Sequence, residues 1–266
     1  MKQTFNFHGH TKRCGHAYGD DEAYVLAAIE AGYQKIGFSD HAPYPGQYNE
    51  RERMDMSELD EYIHSIKTLQ EKYKKQIDIY IGLEIENYQA FKQEIRAYRA
   101  QMDYCIIGQH SMALRDGQAL GDYYLENDPA HVLLYAGQIK EALEEGLADI
   151  VAHPDLFMYG RETWDESCET AAKMICEAAK KANVPLEVNL GGVKYGVRLL
   201  GKEKRLSYPY RRFWEIAQQT GNQVVYGLDV HAPSEYKMIE RFALVDQVID
   251  GLTLSFAEDI NIQHKL

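Results

Sequence analysis

The sequence predicts an α/β fold in which parallel strands, each followed by a helix, form a closed or nearly closed barrel. Short β-rich runs alternate with helix-like segments along the whole chain, and no low-complexity linker interrupts them. Most of the β-rich runs end in polar residues, as strands that lead into the functional mouth of a barrel do. These observations favour a single domain over residues 1–266.

The predicted strands are short, and helix-like segments separate most of them. They are Thr4–His8, Lys35–Ser39, Ile77–Leu83, Asp103–Gly108, Asp149–Ala152, Pro185–Asn189 and Gln223–Leu228. Apolar residues at three- and four-residue spacing predict helices over Asp20–Tyr33, Ser57–Lys75, Tyr88–Met102, Asp128–Gly146, Asp165–Asn183, Tyr208–Gly221 and Ser234–Asp250. An open doubly wound sheet is the alternative, but neither GxGxxG nor GxxxxGK[ST] occurs, which weakens its nucleotide-binding form.

Local residue chemistry marks some helix boundaries. Asp128 can cap a helix that begins at Pro129, and Gly146 can adopt the left-handed conformation that ends it. Ser57 with Asp60 is a weaker start signal, because a capping box usually has Glu or Gln at the later position.

The composition limits the function classes. A formal net charge of −12 disfavours a nucleic-acid partner, whose binding normally needs a basic face, and favours a small substrate. No apolar stretch is long enough to span a membrane and the start lacks a secretory signal, so we expect a cytoplasmic protein without a membrane partner. The four cysteines lack CxxC spacing, which predicts reduced thiols. The oligomeric state is not indicated.

Metal-ligand side chains recur where the predicted strands end. The carboxyl ends of barrel strands converge on one mouth, so donors far apart in sequence become neighbours there. His8 and His10 are two residues apart and project to one face of an extended chain, a spacing that Asp229 and His231 repeat. The candidate ligands are His8, His10, His16, His41, Glu84, His110, His153, Asp229 and His231.

The number and type of these donors predict more than one metal ion. A single zinc site usually has three or four protein ligands, so nine donors imply two or three divalent ions. Mixed imidazole and carboxylate ligands suit zinc, iron or manganese better than magnesium or calcium. His64 and His131 within helices and His264 in the tail are assigned no metal role.

Taken in order, HxH, His16, SDH, GLE, GQH, HPD and GLDVH resemble the PHP family, named for polymerase and histidinol phosphatase domains. The match covers nearly the whole chain, and the stretch DHAPYPGQYNERERMDMSELDEYIHSIKTLQEKYKKQIDIYIGLE is similar to the stand-alone histidinol-phosphatase branch. The resemblance implies a distorted TIM-like (β/α)7 barrel with a trinuclear metal site. By motif, the first metal would bind His8, His10, Glu84 and Asp229, the second Glu84, His110 and His153, and the third His16, His41 and His231. Glu84 would bridge the first two, with Glu86 as the alternative bridge.

The same resemblance implies that L-histidinol phosphate is hydrolysed to L-histidinol and phosphate, a step of histidine biosynthesis. Clustered metals lower the pKa of a bound water and orient phosphoryl oxygens, so a metal-activated hydroxide is the expected nucleophile. Glu84, Asp229 and His153 are the residues that we expect to be catalytic. No residue stands out as the acid that protonates the leaving alkoxide.

A basic stretch after the sixth predicted strand is a candidate for phosphate binding. GGVKYGVRLLGKEKRLSYPYRR contains seven Lys or Arg residues and one acid, a local exception in an acidic chain. Arg198 in this stretch and Arg161, shortly after HPD, could clamp phosphate through paired donors. A solvated basic loop is the equally weighted alternative.

Three other functions stay open at this point. A PHP phosphoesterase or exonuclease acting on nucleotides or nucleic-acid ends would show a wider basic groove or an attached polymerase domain. Metal-dependent amidohydrolases also begin a barrel with HxH but often have a bridging lysine on a middle strand, where this chain has Glu84 and His110. A non-catalytic metal-binding protein would keep the ligands without turnover.

Overall fold

A computed structural model describes residues 3–125 and 128–265. Its strands are β1 (Phe5–Asn6), β2 (Lys35–His41), β3 (Asp78–Ile85), β4 (Tyr104–Ile107), β5 (Ser111–Arg115), β6 (Gln118–Asp122), β7 (Ile150–Val151), β8 (Leu186–Asn189), β9 (Arg198–Leu200), β10 (Glu203–Arg205), β11 (Gln223–Gly227) and β12 (Ser255–Phe256). A curled eight-stranded parallel sheet contains β1, β2, β3, β4, β7, β8, β11 and β12 in that spatial order. The order follows the chain without the reversal that defines a doubly wound sheet, so that alternative is wrong.

Helices follow the strands as the sequence predicts. They are α1 (Asp21–Ala31), α2 (Leu59–Tyr73), α3 (Lys92–Gln101), α4 (Pro129–Glu144), α5 (Glu166–Ala182), α6 (Arg211–Thr220) and α7 (Glu240–Ile249). Asp128 caps α4 by accepting a hydrogen bond from the Ala130 N–H at 2.8 Å. Gly146, with φ +68°, takes the predicted left-handed conformation just after the helix.

Two of the predicted helix boundaries are wrong. The capping box before α2 is formed by Asp55 and Glu58, which start a 3-10 turn at Met56–Glu58, and not by Ser57 and Asp60. The predicted helix Ser234–Asp250 is divided into a 3-10 turn, Pro233–Lys237, and α7. The backbone leaves the helical region between them, because Met238 has a ψ of +64°.

Three features were not predicted: the β5–β6 hairpin, the β9–β10 hairpin and strand β12. Both hairpins are antiparallel pairs outside the main sheet, and each follows a strand of that sheet. The β9–β10 hairpin lies within the basic stretch, for which the sequence predicts no strand. Strand β12 pairs with the first two residues of β11, which gives the sheet an eighth strand.

The sheet curls so that the segments following β1 and β11 meet near the mouth of the barrel. Gly9, just beyond β1, forms a parallel bridge with Val230, just beyond β11. Lower down, the Asn6 side chain accepts a hydrogen bond from the Leu228 N–H at 2.9 Å and so replaces a missing ladder bond. This seam brings the HxH segment beside the GLDVH segment.

Two apolar layers support the sheet. The larger one lies between the sheet and the helices, and the smaller one fills the lower interior with residues that include Phe5, Phe7, Tyr80 and Tyr104. Within the described ranges, none of the helices has the length and apolar character needed to cross a membrane.

Candidate metal centre

All nine predicted ligands meet at the carboxyl ends of the strands, around Glu84. The Glu84 carboxylate is buried at the end of β3, and five imidazoles have a nitrogen within 3.7 Å of one of its oxygens. The nearest, His153 Nε2, lies 2.9 Å away. The five are His8, His10, His41, His110 and His153.

Asp229 and the remaining histidines extend the cluster on one side. Asp229 Oδ1 lies 3.4 Å from His10 Nε2 and 3.3 Å from His231 Nδ1. The His16 ring stacks on the His231 ring with centroids 4.8 Å apart. Several sets of ligand atoms in the described residues lie within 4.8 Å of one another, as one metal ion requires, and they include His8–His10–Asp229, His8–Glu84–His153 and His10–His41–His231.

Unsatisfied polar atoms test whether cations fit this cluster. His8 Nε2 and Glu84 Oε2 are buried and make no hydrogen bond of good geometry among residues 3–125 and 128–265, although His41 Nδ1 lies 3.1 Å from Glu84 Oε2. A buried polar atom without a partner costs on the order of 1–3 kcal/mol, so such atoms rarely occur together without a ligand. Imidazole nitrogens and carboxylate oxygens in this arrangement fit zinc, iron or manganese.

The backbone makes room for the cluster and is strained by it. A Cβ atom on Gly108 would lie 1.8 Å from Glu84 Oε1, and one on Gly191 would lie 2.4 Å from Asp229 Oδ2. His153 and Asp229 themselves have positive φ angles of 28° and 52°. Non-glycine residues in such conformations cost about 1–3 kcal/mol each and concentrate at functional sites.

Glu86, the alternative bridging acid, points away from the centre. Its carboxylate contacts both terminal nitrogens of Arg53 at 3.2 Å and lies 3.1 Å from His110 Nδ1. Burial would raise the pKa of Glu86, but Arg53 and His110 outweigh burial and lower it to about 2. Glu84 is therefore the acid at the centre, and Glu86 is its outer neighbour.

Burial and mutual charge set the protonation of the cluster. Burial would raise the pKa of Glu84, but the surrounding histidines, His110 foremost, hold it well below its ordinary value. Burial and the nearby His10 lower the pKa of His41 to about 4. Burial would also lower the pKa of His10, but Asp229 and Asp40 outweigh burial and raise it to about 9, so a metal ion would have to displace a proton from His10.

The predicted phosphate-binding arginines lie outside the cavity beside the cluster. This cavity of about 330 Å³ is lined by cluster residues together with Tyr18, Tyr124, Lys194, Tyr195, Tyr208 and Glu235. Arg161 is buried and pairs with Asp165. Arg198 donates a hydrogen bond to Ser207 Oγ at 3.2 Å and lies 5.1 Å from the centre of the Tyr159 ring.

Lys194 is a cavity residue that the sequence did not single out. Its Nζ lies 2.7 Å from the Asp229 carbonyl oxygen, 3.2 Å from His231 Nδ1 and 3.0 Å from Glu235 Oε2. The basic stretch was the available signal, but nothing in it distinguishes Lys194 from its six basic neighbours. Its position follows from the 3-10 turn Gly191–Tyr195 after β8.

A second, smaller cavity of about 180 Å³ adjoins the first and shares four of its lining residues, His16, His41, His110 and Tyr124. Two carboxylates from unpredicted parts of the mouth, Glu52 and Asp122, line this second cavity. The Tyr124 ring stands parallel to the His110 ring with centroids 6.0 Å apart.

Comparison with known proteins supports the predicted family. The model of the PHP domain family matches residues 6–190. A protein of Deinococcus radiodurans named probable histidinol-phosphatase is 28% identical over 258 residues, which cover 94% of this chain and 95% of that protein. A protein of Schizosaccharomyces pombe with the same name is 25% identical over 248 residues, covering 86% of this chain and 80% of that protein.

A solved structure shares the fold. Histidinol phosphate phosphatase of Lactococcus lactis, complexed with zinc, L-histidinol and phosphate, matches with a TM-score of 0.68 and 18% identity over 98% of this chain and 99% of that one. This likeness confirms the predicted fold class, a distorted TIM-like barrel. Because the family model covers more than half of the sequence, the chain belongs to the PHP domain family.

Proposed function

We propose that this chain is a metal-dependent phosphomonoesterase that hydrolyses L-histidinol phosphate to L-histidinol and phosphate, a step of histidine biosynthesis. The observation that carries the proposal is the cluster of nine donors, buried at its centre, in which five imidazoles surround Glu84. The names of the near-full-length relatives support the substrate, as do the ligands of the Lactococcus lactis structure.

The proposed metals are two or three ions of zinc, iron or manganese. The ligand sets are His8, His10, Glu84 and Asp229; Glu84, His110 and His153; and His16, His41 and His231. Such ions supply Lewis-acid chemistry to a phosphate ester and to the water that attacks it. Glu84 would bridge the first two sets, and Asp229 and His153 would complete the catalytic centre. The short distances from Glu84 to five imidazoles support this assignment.

The phosphate would be held from the basic side of the mouth. Lys194 is the closest candidate, because its ammonium group lines the cavity beside Asp229 and His231. Arg198 and Arg161 remain predicted phosphate contacts, and both lie farther out. Arg198 stacks on Tyr159, whose ring centroid is 5.0 Å from that of the cavity residue Tyr195.

The second cavity would hold the leaving group. L-Histidinol carries an ammonium group and an imidazole that can be protonated, so a complementary pocket should offer negative charge and an aromatic face. Glu52 and Asp122 supply carboxylates there, Tyr124 supplies the ring, and the charge of Arg53, which also lines the cavity, is paired with that of Glu86. The cavity adjoins His41 and His110, so an alcohol bound in it would lie beside the metal centre.

We extend the proposal to the whole chain as one catalytic domain that works in the cytoplasm on a small phosphorylated substrate. Nucleic acid is not a proposed partner, in line with the net charge of −12.

A substrate panel tests the proposal. Protein stripped of metal and reloaded separately with zinc, manganese or iron is assayed on L-histidinol phosphate, nucleoside monophosphates and short oligonucleotides. We expect a kcat/KM for L-histidinol phosphate at least about 100-fold above the others, because buried polar contacts discriminate strongly. Equal rates would refute the substrate, and preferred cleavage of oligonucleotides would favour an exonuclease. His110→Ala should lose this activity, whereas its matched control His64→Ala, in an exposed position on α2, should keep it.

A second assay tests the leaving-group pocket. Asp122→Asn keeps the oxygen that accepts the Tyr124 N–H bond but removes the charge. We expect a KM for L-histidinol phosphate about 5–10-fold higher and an unchanged KM for an uncharged aryl phosphate ester. Asp60→Asn, an exposed carboxylate on α2, should change neither. Equal effects on both substrates would exclude Asp122 from recognition of the leaving group.

A further inference from the structure

Glu187 is a buried carboxylate within a strand, beneath the proposed metal centre, and it contacts the proposed ligand His8. It belongs to β8, two residues before the strand ends, and its side chain is 1% exposed. Both carboxylate oxygens lie 2.9 Å from His8 Nδ1. A carboxylate at this depth is costly unless several donors satisfy it.

Further donors converge on the same carboxylate. The His153 backbone N–H donates to Glu187 Oε1 at 3.3 Å, and Asn189 Nδ2 donates to the same oxygen at 2.6 Å. Asn189 Nδ2 also lies 3.4 Å from Asp229 Oδ2. Glu187 is therefore linked to segments that follow three different strands and carry proposed ligands.

The neighbouring strand leaves room for this group. A Cβ atom on Gly227 of β11 would lie 2.0 Å from Glu187 Oε2. An alanine there would force the carboxylate or the strand to move. The space is therefore matched to a carboxylate in this position.

A related arrangement recurs on two other histidines, with a hydrogen-bonding contact on His110 and a longer separation on His10. His10 places Nε2 toward Glu84 and Nδ1 3.5 Å from Asp40 Oδ1. His110 places Nε2 toward Glu84 and Nδ1 3.1 Å from the outer acid Glu86. In each case one ring nitrogen faces the centre and the other faces an outer carboxylate.

We propose that Glu187 is a positioning residue that fixes the tautomer and orientation of His8 for binding a divalent cation. With the proton on Nδ1 and donated to Glu187, Nε2 has its lone pair directed into the cluster, 3.7 Å from Glu84 Oε2 and 3.6 Å from Asp229 Oδ1. Glu187 is not a ligand itself, because its carboxylate binds the opposite nitrogen of the ring. Outer carboxylates of this kind orient a metal-binding histidine and increase its basicity.

The first test measures zinc binding without any substrate. Glu187→Gln keeps the volume of the side chain and removes its charge, so zinc affinity, measured by competition with a chromophoric chelator, should fall about 10–100-fold. Asp149→Asn is the matched control. Asp149 is a partly buried carboxylate that lies away from the metal cluster and accepts hydrogen bonds from Arg99 and from the Cys105 N–H. Unchanged zinc affinity in a folded Glu187→Gln protein would overturn the proposal.

The second test needs no variant and decides the matter even if Glu187→Gln fails to fold. In zinc-loaded wild-type protein, nitrogen-15 NMR should show a proton on His8 Nδ1 and none on Nε2. A proton on Nε2 would overturn the proposal, as would wild-type protein that binds none of zinc, manganese and iron.

The inference rests on the metal centre of the proposed function but not on its substrate. Zinc binding that depends on Glu187, in a protein inactive on L-histidinol phosphate, would therefore refute the proposed reaction alone.

Discussion

The mouth and the base of the barrel interior are built on the same strands but differ in whether their buried polar atoms are hydrogen-bonded. At the base, the Phe7 ring meets Tyr80 and Tyr104 edge-on, with centroids 5.5 and 5.4 Å away. The buried Tyr104 hydroxyl is satisfied, because it donates to the Phe7 carbonyl at 2.9 Å. At the mouth, by contrast, buried nitrogen and oxygen atoms such as His8 Nε2 and Glu84 Oε2 make no hydrogen bond of good geometry within the described residues.

Glycine makes both regions possible. A Cβ on Gly82 would lie 2.4 Å from the Tyr104 ring, whereas a Cβ on Gly108 would lie 1.8 Å from the Glu84 carboxylate. A missing side chain on one strand thus admits an aromatic ring at the base and a carboxylate at the mouth. The packed and hydrogen-bonded base therefore contributes stability. At the mouth, buried nitrogen and oxygen atoms stay without hydrogen bonds, which leaves them available to bind ligands.

The largest expected effect comes from removing the charge at the centre of the mouth. Glu84→Gln should lower turnover of L-histidinol phosphate by at least about 10⁴-fold, because Glu84 would hold two metals and orient five histidines. Steady-state kinetics with metal analysis of the purified variant measures the effect. The protein should remain folded, since the apolar base is untouched. Full activity with full metal content would remove Glu84 from the centre.

The converse change at the base should reduce stability and leave the metal centre intact. Tyr80→Ala removes a ring that is 6% exposed and packs against Phe7, so the free energy of unfolding should fall by about 3–5 kcal/mol. Urea unfolding of metal-free protein measures this loss. Tyr48→Ala, at an exposed tyrosine, is the matched control. Lost zinc affinity in folded Tyr80→Ala would show that the two regions are not separable.

The sequence predicted the parts of this architecture that depend on local pattern. Strand and helix periodicity placed the β/α units, and the convergence of strand ends predicted that His8, Glu84 and Asp229 would meet. The capping box at Asp55 and Glu58 was also readable, because acceptor and acid have the usual spacing, but we assigned the start to Ser57.

The sequence could not predict roles that depend on contacts between distant segments. Glu187 is an ordinary strand residue in sequence, and its partner His8 lies 179 positions away. Lys194 differs from the other basic residues of its stretch only through the turn that carries it to the cavity. The β5–β6 hairpin has too little periodicity to be distinguished from a loop, although it supplies Asp122 to the second cavity.

Asp155 combines features of the mouth and the base. It follows β7 near the mouth, but its side chain is fully buried, as the side chains at the base are. Burial raises its pKa to about 6, although its carboxylate accepts hydrogen bonds from the Tyr210 N–H and from Trp214 Nε1. The folded state therefore binds the Asp155 proton more tightly than the unfolded state, where the pKa is about 3.9. The contribution of Asp155 to stability falls as pH rises through this interval, and the resulting penalty persists above pH 6.

Asp155→Asn lacks that penalty and should be more stable than wild type at pH 8, by up to about 3 kcal/mol. The difference should nearly vanish at pH 3, where most of the wild-type carboxyl is protonated in both states. Urea unfolding of the metal-free proteins at the two pH values measures it. The same difference at both values would show that burial of the charge does not control the stability of this region.

The smallest expected effect in this comparison concerns phosphate binding. It distinguishes the contribution of Lys194, which lines the cavity, from that of Arg198, which lies farther out. Lys194→Ala removes the ammonium group beside Asp229 and His231, and we expect it to raise KM for L-histidinol phosphate and the inhibition constant of inorganic phosphate about 10-fold each. Arg198→Ala should change both constants less, because Arg198 is engaged with Ser207 and Tyr159 outside the cavity. A larger effect from Arg198 would mean that bound phosphate draws the guanidinium inward, so that the mouth closes around its substrate.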